Sequence, residues 1–175
     1  MPNFLNDGIN HTKLGTLYHK IFEVLPVKKY SITSLKEELN GFINNNIITK
    51  EELDLINIEK IFAYLTSDLY SIMLGSIVYK EKEITFEIPS LYYDNSLKNG
   101  KILTSGVIDL LFIKDDTYYI VDYKTDKVDS LQKLKERYKI QLDLYEIGIR
   151  NIYNATNIEK YIYSIYLNKF IKVEW

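Results

Sequence analysis

The chain has 175 residues, 46% of them hydrophobic and 26% charged, which fits one globular domain and excludes a fibrous or wholly disordered class. Its formal charge of −2 runs opposite to the basic balance of proteins that bind nucleic acid strongly by themselves, so any DNA it handles is expected to be held by something else as well. The absence of cysteine removes disulfides, zinc–cysteine sites, thiol nucleophiles and cysteine-held iron–sulfur clusters.

The opening MPNFLNDGIN lacks the basic and apolar parts of a secretory signal, and no run of about 18 apolar residues occurs anywhere. A soluble, cytoplasmic protein with no membrane partner is therefore expected. Residues 14–25, LGTLYHKIFEVL, repeat apolar positions at helical spacing. Ser31 or Thr33 can cap a second helix running to about Asn45, and TKEE at 49–52 is a capping box opening a third. SDLY at Ser67 restarts or continues helix as far as Gly75, so residues 1–75 read as a helical layer. The period then changes. Residues 77–89, IVYKEKEITFEIP, alternate as a half-buried strand does, with Ile84, Phe86 and Ile88 on one side. After the polar loop DNSLKNG, KILTSGVIDLLFIK and TYYIVDYKT read as two strands joined at Asp115 and Asp116, a turn suited to a hairpin. LQKLKERYKIQLDLYEIGIRNIY is a long amphipathic helix, and YIYSIYLNKFIKVEW supplies a closing strand or strand pair. The expected fold is α/β: a mixed sheet flanked by helices in residues 76–175, with the helical layer appended, the whole of 1–175 forming one domain.

Two of these strands carry carboxylates. Alternation places Asp122 and Lys124 on one surface with Ile120, and Asp109 with Val107, Leu111 and Ile113. If the hairpin pairs the strands, Asp109 approaches Asp122, and two carboxylates that close repel unless a cation sits between them. Hard oxygen donors of this kind suit Mg²⁺ or Mn²⁺, which also bind phosphate oxygens. The plain alternative for D-x-K alone is a salt bridge at a sheet edge. On the long helix, Tyr138, Gln141 and Tyr145 share a face, and Gln141 interrupts an apolar stripe, so its amide needs a partner. Lys127, Lys133, Lys135 and Arg137 suit either phosphate contact or a solvated helix face. His19, taken without its context, reads as a satisfied histidine between helices, and His11 as surface. The 16 tyrosines fit a compositional bias as well as a stacking surface.

The longer pattern is more specific than its parts. GVIDLLFIKDDTYYIVDYKTDK followed by YKIQLDLY, with GTLYH upstream and KEITF between, resembles the RecB/AddA-type nuclease domain of the PD-(D/E)xK superfamily. It is most similar to the C-terminal nuclease domain of helicase–nuclease subunits of the AddA kind. The likeness spans His19 to Tyr145 and implies a restriction-endonuclease-like core. It further implies that His19, Asp109, Asp122 and the backbone carbonyl of Tyr123 hold the metal and that Lys124 is the catalytic lysine. Gln141 and Tyr145 would form the third motif beside the active site, with Tyr138 attached to it more loosely. Glu83 would orient a ligand or bind metal through water.

The activity this resemblance implies is that of a Mg²⁺-dependent deoxyribonuclease, with Mn²⁺ able to substitute, cutting a single DNA strand delivered by a helicase motor in double-strand-break repair. No G-x-x-x-x-G-K-[ST] phosphate loop is present, so the motor would lie in the remainder of an AddA-like chain, whose partner would be an AddB-like protein. The alternatives are a stand-alone repair or phage exonuclease, or a nuclease fold that binds DNA or a partner without cutting. Cas4-like and AddB-like nucleases hold an iron–sulfur cluster with cysteines this chain lacks.

Overall fold

Side-chain caps punctuate the N-terminal half. The computed structural model describes residues 3–92 and 100–174, with side chains at 13–91 and 100–174. After helix α1 (Asn3–Val24), Ser31 caps α2 (Ile32–Asn44) in a reciprocal box with Ser34. Thr49 and Glu52 form the expected box at the start of α3 (Lys50–Leu55): the Thr49 hydroxyl accepts from the Glu52 amide at 3.1 Å, and the Glu52 carboxylate accepts from the Thr49 amide at 2.8 Å. The helix opened by this box is short. Ile56 turns extended and Asn57 caps a separate α4 (Ile58–Leu65), followed by α5 (Asp68–Met73) capped by Ser67. Gly75, with φ of +78°, turns the chain into the sheet.

The sheet has five strands in sequence order: β1 (Ile77–Pro89), β2 (Lys101–Lys114), β3 (Thr117–Lys124), β4 (Asn157–Ser164) and β5 (Lys169–Lys172). Neighbours are antiparallel except β3 and β4, which run parallel and are joined over the sheet by α6 (Leu131–Tyr153). The expected α/β architecture is thus observed, and the closing segment is a strand pair. Asp115 and Asp116 both adopt left-handed backbone (φ of 47° and 56°), the conformation a two-residue hairpin turn requires. Most of the DNSLKNG loop and the His11 side chain lie outside the described residues.

Two apolar clusters form, one on each face. Leu110, Phe112, Val121, Tyr123 and Tyr163 pack against the helical layer, which therefore shares its core with the sheet. Ile84, Phe86, Ile108, Leu111, Ile120 and Ile162 pack against the α6 side. Membership of these clusters corrects one expectation. An unbroken β2 would place Ile108 with Leu110, yet Ile108 and Leu111 share a face while Leu110 joins the other. Alternation switches in β1 as well, since Val78 and Ile84 face opposite layers. Glu81, with φ of 48°, marks the switch in β1, between the pairs Lys80–Leu110 and Lys82–Ile108. A left-handed non-glycine residue inside a strand costs on the order of 1–3 kcal/mol and collects at functional sites.

A buried charge cluster fixes α6 on β4. Lys160, 3% exposed, reaches Asp143 at 2.5 Å and Glu146 at 2.6 Å, while Arg150 covers Glu146 from the outer side at 2.7 Å. Paired charges of this kind set the height and rotation of the helix that carries Tyr138, Gln141 and Tyr145.

Candidate active site

The β2–β3 ladder stops where the carboxylates begin. Its last pair at this end is Leu110 with Val121; beyond it β2 stays with β1, and β3 continues on β4 through Asp122–Ile162, Tyr123–Tyr163 and Lys124–Ser164. The strands part like a fork, with Asp109 and Asp122 at the split. The opening frees backbone groups that must find partners. Asp109 satisfies one of them, its Oδ2 accepting from the Tyr123 amide at 2.7 Å.

Helix α1 closes one side of the fork. It comes close because Gly15 lies against Thr125, where a Cβ would meet Oγ1 at 2.9 Å. His19 then stands with Nε2 3.1 Å from the Tyr123 carbonyl oxygen and Nδ1 3.4 Å from Asp109 Oδ1 and 4.0 Å from Glu81 Oε1. The Tyr123 ring is anchored in the helical layer, its hydroxyl 2.8 Å from that of Tyr64 and its face against Phe22, so its carbonyl has a fixed place. Burial pulls the His19 imidazole down, but the hydrogen bond and charge of Asp109, with Glu81 behind it, raise it above its ordinary value. Glu81 is itself raised, first by burial and then by the charge of Asp109.

Asp122 is 1% exposed, and its Oδ2 lies 2.5 Å from Lys124 Nζ yet makes no hydrogen bond of good geometry. Burial, reinforced by Asp109, pushes its carboxyl up to about 6 against the opposing pull of Lys124 and His19. Burial acts downward on Lys124, and Asp122 more than offsets it, so the ammonium stays charged. Asp122 is thus a buried carboxylate whose charge is met by the Lys124 ammonium at one oxygen.

His19, Glu81 and Asp109 offer ligand atoms that all lie within 4.8 Å of one another. With the Tyr123 carbonyl beside them and Asp122 at the same fork, the donors are one imidazole and hard oxygens, a set that fits Mg²⁺ or Mn²⁺. Of the residues expected from sequence, His19, Asp109 and the Tyr123 carbonyl lie together, and Asp122, outside that group of three, stands at the same fork with Lys124. Glu83 does not join them. It is exposed and pairs with Val107 farther along β1, while Glu81 fills the place nearest Asp109.

Helix α6 forms the opposite wall. The Gln141 amide finds its partner in the Tyr145 hydroxyl at 2.8 Å, and that hydroxyl donates to the Val107 carbonyl at 2.7 Å, tying the helix to β2 two residues from Asp109. Gly106 makes the contact possible: a Cβ there would meet Tyr145 Cε1 at 2.8 Å. Tyr138 lies under Lys124, the ammonium 4.4 Å from the ring centroid. Lys133 and Arg137 are engaged with Asp129 and Asp126. Sequence reasoning missed Glu81, Gly106 and Asp126. The glycine of GVID was a visible signal; nothing in KEKEI distinguishes Glu81 from Glu83.

A mixed sheet split beside two aspartates and a lysine, under a histidine-bearing helix, is the framework of one nuclease class. Residues 2–170 match the PD-(D/E)XK nuclease superfamily, and the chain belongs to it. Among curated proteins, it is 31% identical over 182 residues to the ATP-dependent helicase/nuclease A-subunit of Clostridium botulinum strain 657 (Type Ba4) and 32% to that of strain Hall. It is 34% identical over 184 residues to the protein of the same name from strain Alaska E43. These alignments cover 99%, 99% and 98% of this chain but 14%, 14% and 15% of the relatives, so the chain spans about one seventh of their length. The likeness to AddA-type nuclease domains expected from the motifs is borne out. Among the described residues, no helix is long and apolar enough to cross a membrane.

Proposed function

We propose that the chain is a divalent-metal-dependent deoxyribonuclease domain that hydrolyses phosphodiester bonds in DNA. The observation that carries this reading is the convergence of His19, Asp109, Asp122 and Lys124 on a single fork in the sheet. His19, Asp109, Asp122 and the Tyr123 carbonyl would hold Mg²⁺, with Mn²⁺ as substitute, and Glu81 joins them in the place expected for Glu83. Such an ion, when bound, lowers the pKa of water and stabilises charge on the phosphate. Lys124 supplies a fixed ammonium for the phosphate oxygens and an N–H to orient the attacking water. Gln141 and Tyr145 hold the α6 wall in register with β2, so the lysine and the carboxylates keep their separation.

The relatives are named as subunits of an ATP-dependent helicase/nuclease, which supports a place within such an assembly; by the motif resemblance it would be of the AddAB/RecBCD kind acting in double-strand-break repair, with the motor in the remainder of an AddA-like chain and an AddB-like partner beside it. A chain of net charge −2 gains from such an arrangement. Tethering to a motor that feeds single-stranded DNA replaces intrinsic affinity with effective concentration.

Cleavage of labelled single-stranded DNA in Mg²⁺ or Mn²⁺, compared with Asp122→Ala and Lys124→Ala, tests the proposal. The parent should cut only with the cation, and each variant should lose on the order of 100-fold or more in rate. Cutting that survives either substitution would overturn the site. Tight cation-independent binding without cutting would favour a non-cleaving module on a nuclease fold.

A further inference from the structure

Lys124 is the flexible member of the site, an ammonium on a four-carbon stem. Two groups hold it: Asp122 Oδ2 at 2.5 Å and the face of the Tyr138 ring, 4.4 Å from Nζ to the centroid. The ring is held in turn. Its hydroxyl donates to both carboxylate oxygens of Asp126 at 3.0 Å, and Arg137 binds the same carboxylate. Asp126 lies two residues beyond Lys124, in the link between β3 and α6. The segment that leaves the lysine thus fixes the aromatic face beneath it.

The two partners differ in what a cation does to them. A carboxylate shared with a divalent ion has less charge to offer an ammonium, and the ion repels the ammonium besides. An aromatic face attracts the ammonium through its quadrupole and offers a hard cation no ligand atom. A carboxylate in its place would compete for the ion.

We propose that Tyr138, oriented by Asp126, is a positioning residue that keeps the Lys124 ammonium in the cleft when Asp122 turns its charge to a cation. The catalytic consequence rests on the nuclease reading above; the positioning itself does not.

Two measurements separate these. In protein supplied with Mn²⁺ and no DNA, the state in which Asp122 would turn to the ion, the rate at which an amine-acylating reagent modifies Lys124 is followed by peptide mass spectrometry, with exposed Lys50 and Lys101 as internal references. Tyr138→Leu should raise the Lys124 rate by roughly threefold to tenfold, while Tyr138→Phe and Asp126→Ala, which both keep the ring but break the hydroxyl–carboxylate bond that orients it, should each raise it by a smaller factor and to a similar extent. In DNA cleavage, Tyr138→Leu should lower kcat on the order of tenfold with KM within about twofold, and Tyr138→Phe and Asp126→Ala should each show a smaller loss of the same kind. A folded Tyr138→Leu variant with parental Lys124 acylation, or with parental kcat, overturns the proposal. Should that variant fail to fold, Asp126→Ala, altered in the link outside the core, decides both arms. If the parent itself cuts no DNA, the nuclease reading fails while the acylation rates still decide the positioning.

Discussion

Asp122 is ionised against its surroundings, and this has a measurable price in the cation-free protein. Its folded carboxyl titrates near 6, against the ordinary 3.8 expected of the unfolded chain. Below about pH 4 both states hold the proton; between about 4 and 6 only the folded state does. Stability from this group is therefore full at low pH and is lost as pH rises through that window, by at most about 3 kcal/mol. His19 and Glu81, both raised, act with the same sign, so the difference between parent and Asp122→Asn isolates Asp122. Urea melts in chelator from pH 4 to 7 should show a steeper fall in the parent than in the variant. A parallel pair of curves would mean that Asp122 is not desolvated. Glu81 gives a second residue-level test. Glu81→Gln should weaken Mn²⁺ binding on the order of tenfold by calorimetry, and the exposed Glu83→Gln should leave it close to the parent.

The elements act through close approaches that particular residues permit. Gly106 lets α6 rest on β2, since a Cβ there would come within 2.8 Å of the Tyr145 ring. Gly106→Ala should therefore cost about 1–3 kcal/mol and reduce cleavage together with it, as the Tyr145–Val107 bond is displaced. Gly41, in α2, has nothing within 4 Å of its Cβ position, and Gly41→Ala should stabilise by about 0.5–1 kcal/mol without touching cleavage. Equilibrium denaturation of both variants reads these opposite signs. Much of this was readable from sequence because it rests on period. Helix spacing put Tyr138, Gln141 and Tyr145 on one face, the Thr49 box marked a helix start, and strand alternation aligned Asp122 with Lys124. The switch of faces at Glu81 and Asp109 was not, because it is a backbone event. A left-handed φ at a glutamate leaves no mark in a pattern of apolar and polar residues, so period-2 counting carried Asp109 to the wrong neighbours, while the choice of Glu83 rested on the motif resemblance alone. Asp126 escaped for another reason: its role depends on where α6 returns, a distance no local pattern records.

Across the whole molecule, the sheet is the shared floor of two cores. Leu110, Phe112, Val121, Tyr123 and Tyr163 are buried by the helical layer, and Tyr123 also presents its carbonyl to the site. Residues 76–175 expressed without 1–75 should then expose this face and lose His19, giving a poorly dispersed NMR spectrum and no cation binding. A well-folded fragment would show that the helices are an accessory. The helical layer was expected from sequence as an appendage; the burial pattern makes it half of the hydrophobic interior, which ties folding of the first 75 residues to assembly of the carboxylates.

The hairpin tip at Asp115–Asp116 lies at the far end of the paired stretch from the fork. A reporter peptide or affinity handle spliced at that tip should leave the rungs from Leu110 to Lys114 aligned and the carboxylate cleft unharmed. One extra residue spliced within those rungs instead rotates an aspartate to the wrong side of the ribbon. Grafting can therefore map the domain's tolerance from a single loop.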